Sequence, residues 1–310
     1  MPEIVISEFM DEAAVEHLCE GFDTLYDPSL VDRPAELAAA LQGARALVVR
    51  NRTQVRVSLL EAATALECVG RLGVGLDNID TEACAARGIA VYPATGANDL
   101  AVAEYVIAMA LVLLRGAYGS STAVAAGAWP RQALIGGEAS GRTIGLVGFG
   151  AIAREVGRRA EALGMAVIAY DPFLPDDHAA WKGARKVTLE RLLADADVVS
   201  LHTPLTPDTR HMIDAAAIGR MKKDAVLINA ARGGIVDEDA LCAALREGRL
   251  AGAALDVFEE EPLGAEKGAR FQGLKNLVLT PHIAGVTRES NVRVSYKIAQ
   301  TVLQHLRDKV

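Results

Sequence analysis

Four side chains toward the C-terminal part of the chain, Arg232, Asp256, Glu261 and His282, have the types that carbonyl and proton chemistry requires. Each follows a short apolar run that reads as a strand: Arg232 after AVLINA, Asp256 at the end of GAALD, Glu261 just beyond it, and His282 at the end of NLVLTPH. An arginine fork grips a carboxylate and polarises a neighbouring carbonyl oxygen, which lysine does less directionally. Histidine titrates near neutral pH, so it can take a hydroxyl proton and return it. A glutamate bonded to that histidine fixes its tautomer and favours its charged form, raising its pKa. Taken singly, an arginine near a surface is ordinarily a solvated charge and a histidine after a strand is satisfied locally. What singles these out is that all four fall at the carboxyl ends of strands, where open parallel sheets bind ligands.

A second motif supplies a partner for that chemistry. The run Gly145-Leu-Val-Gly148-Phe-Gly150-Ala151-Ile152-Ala153 ends a strand and opens a helix. There the glycines let the backbone approach a pyrophosphate, with the amides of Ala151 and Ile152 facing it. Ala153 replaces the usual third glycine, a tolerated change at a packing position. Such a pattern alone is weak, since a tight strand-to-helix turn needs no ligand. The next strand, however, ends in Asp171, about 20 residues on, where a carboxylate receives ribose hydroxyls. The alternative role of Asp171 is a turn cap. Its charge repels a 2′-phosphate and Pro172-Phe173 offers no arginine, so NAD is expected rather than NADP. The two motifs together predict hydride transfer between nicotinamide C4 and C2 of a 2-hydroxy acid, with Asp256 holding the carboxamide or ordering Arg232.

The elements that must position these groups are legible as alternating short β-rich runs and helical patterns. From Ile4 to Tyr92 the runs are IVIS, ALVVR, ECVGRLG and IAVYP; from Thr143 a second series has six, TIGLVGF, MAVIAYD, DVVSLH, AVLINA, GAALDVF and NLVLTPH. Asn98–Arg115 and Val286–Arg307 read as helices. The expected fold is α/β: two Rossmann-like or flavodoxin-like parallel-sheet domains with a cleft between them. The substrate domain is discontinuous, 1–98 and 285–310, around an NAD-binding domain, 99–284. A formal net charge of -8 disfavours nucleic acid or an anionic membrane surface as partner. The apolar stretch from Ala101 to Leu114 contains Glu104 and is too short for a membrane span. Four scattered cysteines without a CxxC pair, and an acidic start with no signal-peptide pattern, point to reduced thiols in a cytoplasm. His17, His178, His211 and His305 show no ligand spacing, so no metal is expected.

At these motifs the chain resembles the D-isomer-specific 2-hydroxyacid dehydrogenase family, most closely its short phosphoglycerate dehydrogenase-like members. The resemblance extends over nearly the whole chain, through VVRNRT from Val48, GRLGVGLDNID from Gly70, NDLAVAE from Asn98, HTPLTPDTRHMI from His202, INAARGGIVDEDAL from Ile228, DVFEEEP from Asp256 and TPHIAG from Thr280. It implies that Arg232, Glu261 and His282 are the catalytic arginine, glutamate and histidine, Glu261 being chosen over Glu259 and Glu260 because it precedes Pro262. Asp256 becomes the nicotinamide-side aspartate, and Thr203, Pro204 and Ala230 line the NAD groove. The backbone at Val74 and Gly75 is implied to bind the substrate carboxylate, with Arg50 and Asn51 nearby. A twofold homodimer is implied as well, in which the GAWPR run brings Arg131 to the partner's site. Arg50 and Arg131 then predict a second anion on the substrate, as in 3-phosphoglycerate or sulfolactate, whereas Arg52 reads equally well as surface charge. Glyoxylate or hydroxypyruvate reduction is the alternative within the class. Outside it stands an NAD(H)-sensing binding protein like the C-terminal binding protein corepressors, separable by pulldown. No serine-binding regulatory domain is expected.

Overall fold

The computed structural model describes residues 1–308, so the last two positions of the expected 285–310 segment lie outside the described residues. The chain divides into two compact units, Met1–Asn98 with Val286–Val310, and Asp99–Gly285.

The first unit is built on a five-stranded sheet of β1 (Ile4–Ile6), β2 (Thr24–Tyr26), β3 (Ala46–Val49), β4 (Cys68–Arg71) and β5 (Ala90–Pro93). All pairs are parallel and the order is β2-β1-β3-β4-β5, the flavodoxin-like winding. Side chains alternate between faces. Ile4, Ile6, Ala46, Val48 and Cys68 pack with Val294, Ile298, Val302 and Leu306 of the helix Arg288–Asp308. Val5, Leu47, Val49 and Val69 join Leu37, Leu41 and Leu60 in a separate cluster. The strand β2 was not among the expected runs. It is a half-buried edge of three residues whose TLY carries no apolar run, and its pairing with β1 makes it a strand.

The second unit holds a seven-stranded parallel sheet of β6 (Thr143–Val147), β7 (Ala166–Tyr170), β8 (Arg185–Lys186), β9 (Val198–Leu201), β10 (Val226–Asn229), β11 (Gly252–Leu255) and β12 (Leu277–Leu279). Its order, β12-β11-β10-β9-β6-β7-β8, is the dinucleotide-fold winding, with the reversal between β6 and β9. Seven strands correct the six read from the sequence. The addition, β8, is two exposed basic residues on the edge beside β7, invisible to any hydrophobic pattern. Ile144, Leu146, Val198, Val226 and Ile228 face a cluster that includes the helices Asp99–Arg115 and Ala151–Ala162. Val147, Val199, Leu201, Leu227 and Leu255 face one that includes Leu189–Asp195, Ala215–Arg220 and Glu238–Arg246. Thr188, Asp214 and Asp237 start those last three helices as N-caps, each accepting a first-turn amide. The run 101–114 lies within Asp99–Arg115, half-sheathed by this core. No single helix among the described residues is long and apolar enough to cross a membrane.

Candidate active site

The glycine turn lies where the strand order reverses. Gly148 follows β6 with φ 87°, and a Cβ there would lie 2.7 Å from the His202 carbonyl oxygen and 3.1 Å from Thr203 Cγ2. Only glycine allows that approach. Gly150 has open space around it and gives the helix Ala151–Ala162 no side-chain cap, leaving the amides of Ala151 and Ile152 for an outside acceptor. Thr203 Oγ1 is buried without a hydrogen-bond partner, while Pro204 is exposed. Asp171 follows β7 and accepts from the amides of Phe149 (2.9 Å), Phe173 (2.9 Å) and Leu174 (3.1 Å). It therefore ties the glycine turn to the end of β7, the turn-capping role, and a carboxylate's spare lone pair remains. An uncapped helix start, an orphaned hydroxyl and a carboxylate at the second strand fit a dinucleotide such as NAD.

His202, beside this turn, has Ser200 Oγ 3.0 Å from its Nε2 and is pushed down to about 4 by burial, from an ordinary 6.5. The unfolded chain thus binds this proton first. Its effect on stability is nil above about 6.5, and stability is lost as pH falls through that window towards 4, by about 3 kcal/mol when complete. Urea unfolding at pH 7 and pH 5 tests this. His202→Gln should show a shallower loss than the parent, and identical slopes would disprove the contribution.

Three consecutive strand ends carry the other half. At the end of β10, Asn229 folds the chain back, its Nδ2 donating to the Arg232 carbonyl (2.9 Å) and its Oδ1 accepting from Ala231 N (3.1 Å). The half-buried Arg232 donates through Nη1 to the Ala231 carbonyl at 2.6 Å, and half-buried Ala230 lies just past the strand. Next to it, Gly233 lies against the segment after β11: a Cβ would fall 1.6 Å from Phe258 O. That segment carries Glu261, whose Oε1 accepts from Phe258 N (3.0 Å) and whose Oε2 lies 2.6 Å from His282 Nδ1. Burial pushes the Glu261 carboxyl up, but the His282 hydrogen bond, the Phe258 amide and the charges of His282 and Arg232 outweigh it, leaving it below the ordinary value. Glu261 is thus within electrostatic reach of both Arg232 and His282. Of the neighbouring glutamates, Glu259 accepts instead from His211 Nε2 (3.1 Å) and Glu238 N (3.4 Å).

Asp256 has a role that the sequence did not indicate. It is buried, and its main-chain oxygen accepts from His282 N (2.7 Å). Its carboxylate accepts from Ile283 N (2.9 Å), Ala284 N (2.8 Å) and Thr280 Oγ1 (2.5 Å). The turn bearing His282, at φ 53°, is wrapped around it.

In the first unit, Val74 and Gly75 are half-buried in the bend after β4. Asn51 and Arg52 are exposed, and Arg52 pairs with Asp32. Sequence reasoning missed Glu8, a buried carboxylate after β1 that accepts from the amides of Arg50 (2.8 Å), Arg52 (3.1 Å) and Thr53 (2.9 Å). Asn78 braces the same loop through the Thr53 carbonyl at 2.7 Å. Arg50 donates to Asn291 Oδ1 at 2.7 Å and lies 5.8 Å from the Phe9 ring centroid. Its burial lowers its pKa, against the opposing charge of Glu8. Arg131 is exposed in the second unit, in a segment whose Tyr118, Val124, Trp129 and Ile135 are exposed too. Among the described residues no group of His, Cys, Asp and Glu could hold a metal.

A glycine turn after β6, and an arginine, glutamate and histidine after β10, β11 and β12 of the same sheet, suit a nicotinamide-dependent oxidoreductase. The family model for the NAD binding domain of D-isomer specific 2-hydroxyacid dehydrogenases matches residues 107–284. An (S)-sulfolactate dehydrogenase from Chromohalobacter salexigens is 54% identical, over 99% of both chains. A chloroplastic D-3-phosphoglycerate dehydrogenase from Arabidopsis thaliana is 40% identical over 100% of this chain, which spans only 49% of that protein. The crystal structure of a D-lactate dehydrogenase from Aquifex aeolicus, complexed with NAD and lactic acid, superposes with a TM-score of 0.86 at 28% identity, covering 98% of this chain and 96% of that one. The chain belongs to the D-isomer specific 2-hydroxyacid dehydrogenase family, and it is an NAD-dependent oxidoreductase interconverting 2-hydroxy and 2-keto acids.

Proposed function

We propose that the substrate is a 2-hydroxy acid with a second anionic group on C3, sulfolactate first and 3-phosphoglycerate next. The observation that carries this reading is Arg50, a largely shielded guanidinium hydrogen-bonded to the neutral amide of Asn291 while the Glu8 carboxylate is occupied by backbone amides. A desolvated cation so placed favours an incoming anion. The 54% identity to a sulfolactate dehydrogenase agrees with it.

Arg232 grips the C1 carboxylate and polarises the C2 oxygen, with the amides of Val74 and Gly75 binding the same carboxylate. Because Nδ1 of His282 faces Glu261, that nitrogen carries the ring proton and Nε2 is left to take the C2 hydroxyl proton. Bound NAD supplies the hydride acceptor. Gly148, Gly150, Ala151 and Ile152 take its pyrophosphate and Asp171 its ribose, while Thr203, Pro204, Ala230 and Asp256 serve the remainder of the groove. We propose also a cytoplasmic homodimer, in which the exposed apolar segment around Trp129 is covered and Arg131 reaches the partner's substrate; exposed, unpaired Cys19 fits a reducing compartment.

NAD reduction and NADH oxidation across sulfolactate, phosphoglycerate, glycerate, lactate, glyoxylate and hydroxypyruvate (each in the matching oxidation state) should favour a doubly anionic acid. Arg50→Ala should lower kcat/KM for that acid by about 10- to 100-fold while changing lactate little. In mixed dimers, assembled by refolding together and sized by sedimentation, Arg131→Ala and His282→Ala chains should complement. Preference for glyoxylate or hydroxypyruvate, with unchanged selectivity in Arg50→Ala, would instead make this a reductase of small keto acids.

A further inference from the structure

The helix Asp99–Arg115 bears a group that the proposed chemistry leaves unused. Tyr105 OH lies 2.6 Å from Thr280 Oγ1, which donates to Asp256 Oδ1 at 2.5 Å. A threonine hydroxyl has one proton, and it is committed to the carboxylate, so the phenol must donate to Thr280. The resulting chain runs one way, from Tyr105 through Thr280 to Asp256, and the same carboxylate then holds the amides of Ile283 and Ala284. His282 directly precedes those amides with a left-handed φ of 53°, a conformation a non-glycine residue keeps only when its surroundings hold it there. Tyr105 is partly buried and its phenol is pushed up to about 12, chiefly by burial, so it stays a donor throughout the working pH range. Its partner lies 175 residues away in sequence, which makes the contact a tie between the helix and the turn rather than a local cap.

We infer that Tyr105 is a positioning residue for His282, acting through Thr280 and Asp256 to hold the histidine turn in register with Glu261. This rests on His282 being the proton carrier. The predicted consequence is a loss in turnover much larger than any loss in cofactor binding, because the groups proposed for the pyrophosphate and ribose, the glycine turn and Asp171, lie on other strands, and the Asp256 carboxylate keeps the amides of Ile283 and Ala284. Misplacing a catalytic group or removing the partner that orients it costs about tenfold or more.

The test compares the parent with Tyr105→Phe, Thr280→Val, the double variant, Thr280→Ser and His282→Ala. We expect kcat to fall about tenfold in Tyr105→Phe with KM for NAD within about twofold. Thr280→Ser, which keeps the hydroxyl, should stay near the parent, and the double variant should match Thr280→Val because the chain is serial. In the proteins without ligand, hydrogen exchange should quicken selectively over residues 281–285 in Tyr105→Phe. Parental kcat in Tyr105→Phe, multiplicative losses in the double variant, or exchange that quickens uniformly would each overturn the inference. Should Tyr105→Phe fail to fold, Tyr105→Met, which also lacks the hydroxyl, takes its place and is decided by the same readouts. Turnover retained by His282→Ala would instead remove the underlying catalytic assignment.

Discussion

His282→Ala is expected to lower kcat by about 10²- to 10⁴-fold in both reaction directions while NADH still binds. The size follows from what the side chain does: its Nδ1 is committed to Glu261 at 2.6 Å, so Nε2 is aimed and in the tautomer that accepts a proton. Under the proposed role, removing the ring takes away the group that receives the C2 hydroxyl proton. Glu261→Gln should cost less, because an amide can still accept at Nδ1 but lacks the charge that steadies a protonated ring. Steady-state turnover with the best acid of the panel, together with NADH fluorescence titration, checks both halves. A loss of under tenfold, with binding intact, would assign the proton to another group.

An effect of similar size is expected from a single methyl group. Gly233→Ala would set a Cβ 1.6 Å from Phe258 O, 2.1 Å from Phe258 C and 2.8 Å from Glu259 N. All three are backbone atoms, so no side chain can swing aside. Relief requires the Arg232 turn or the Glu261 segment to move by on the order of 1–2 Å, and displacements of that kind cost about 100-fold in rate. We expect kcat/KM to fall by at least that factor, with a lowered Tm. Parental activity in Gly233→Ala would show that the two segments are not held in the contact described.

The winding of both sheets was readable from the alternation of apolar runs with helical periods, because strands buried on both faces have few polar interruptions. What escaped were β2 and β8, strands made by pairing at an edge rather than by composition. That the glycine turn, Arg232, Glu261 and His282 fall at strand ends was legible because the runs before them are apolar, and their residue types suit the proposed chemistry. The residues that brace them were not. Glu8, Asn78, Tyr105 and Thr280 act through contacts whose partners are 24 to 175 residues distant, and nothing local marks them. Asn229 is the exception in principle. An asparagine ending a strand just before a chain reversal is a local turn signal in the sequence itself.

If Asp171 receives the ribose as proposed, its three amide bonds make the cofactor costly to change. The obvious single replacement for admitting a 2′-phosphate, exchanging this carboxylate for a small apolar or basic side chain, also strips the acceptor from the amides of Phe149, Phe173 and Leu174. A lineage drifting towards NADP would therefore weaken its own glycine turn before gaining any affinity. A change of cofactor would have to bring a compensating acceptor with it, so the preference proposed for Asp171 is bound up with the folding of the turn itself.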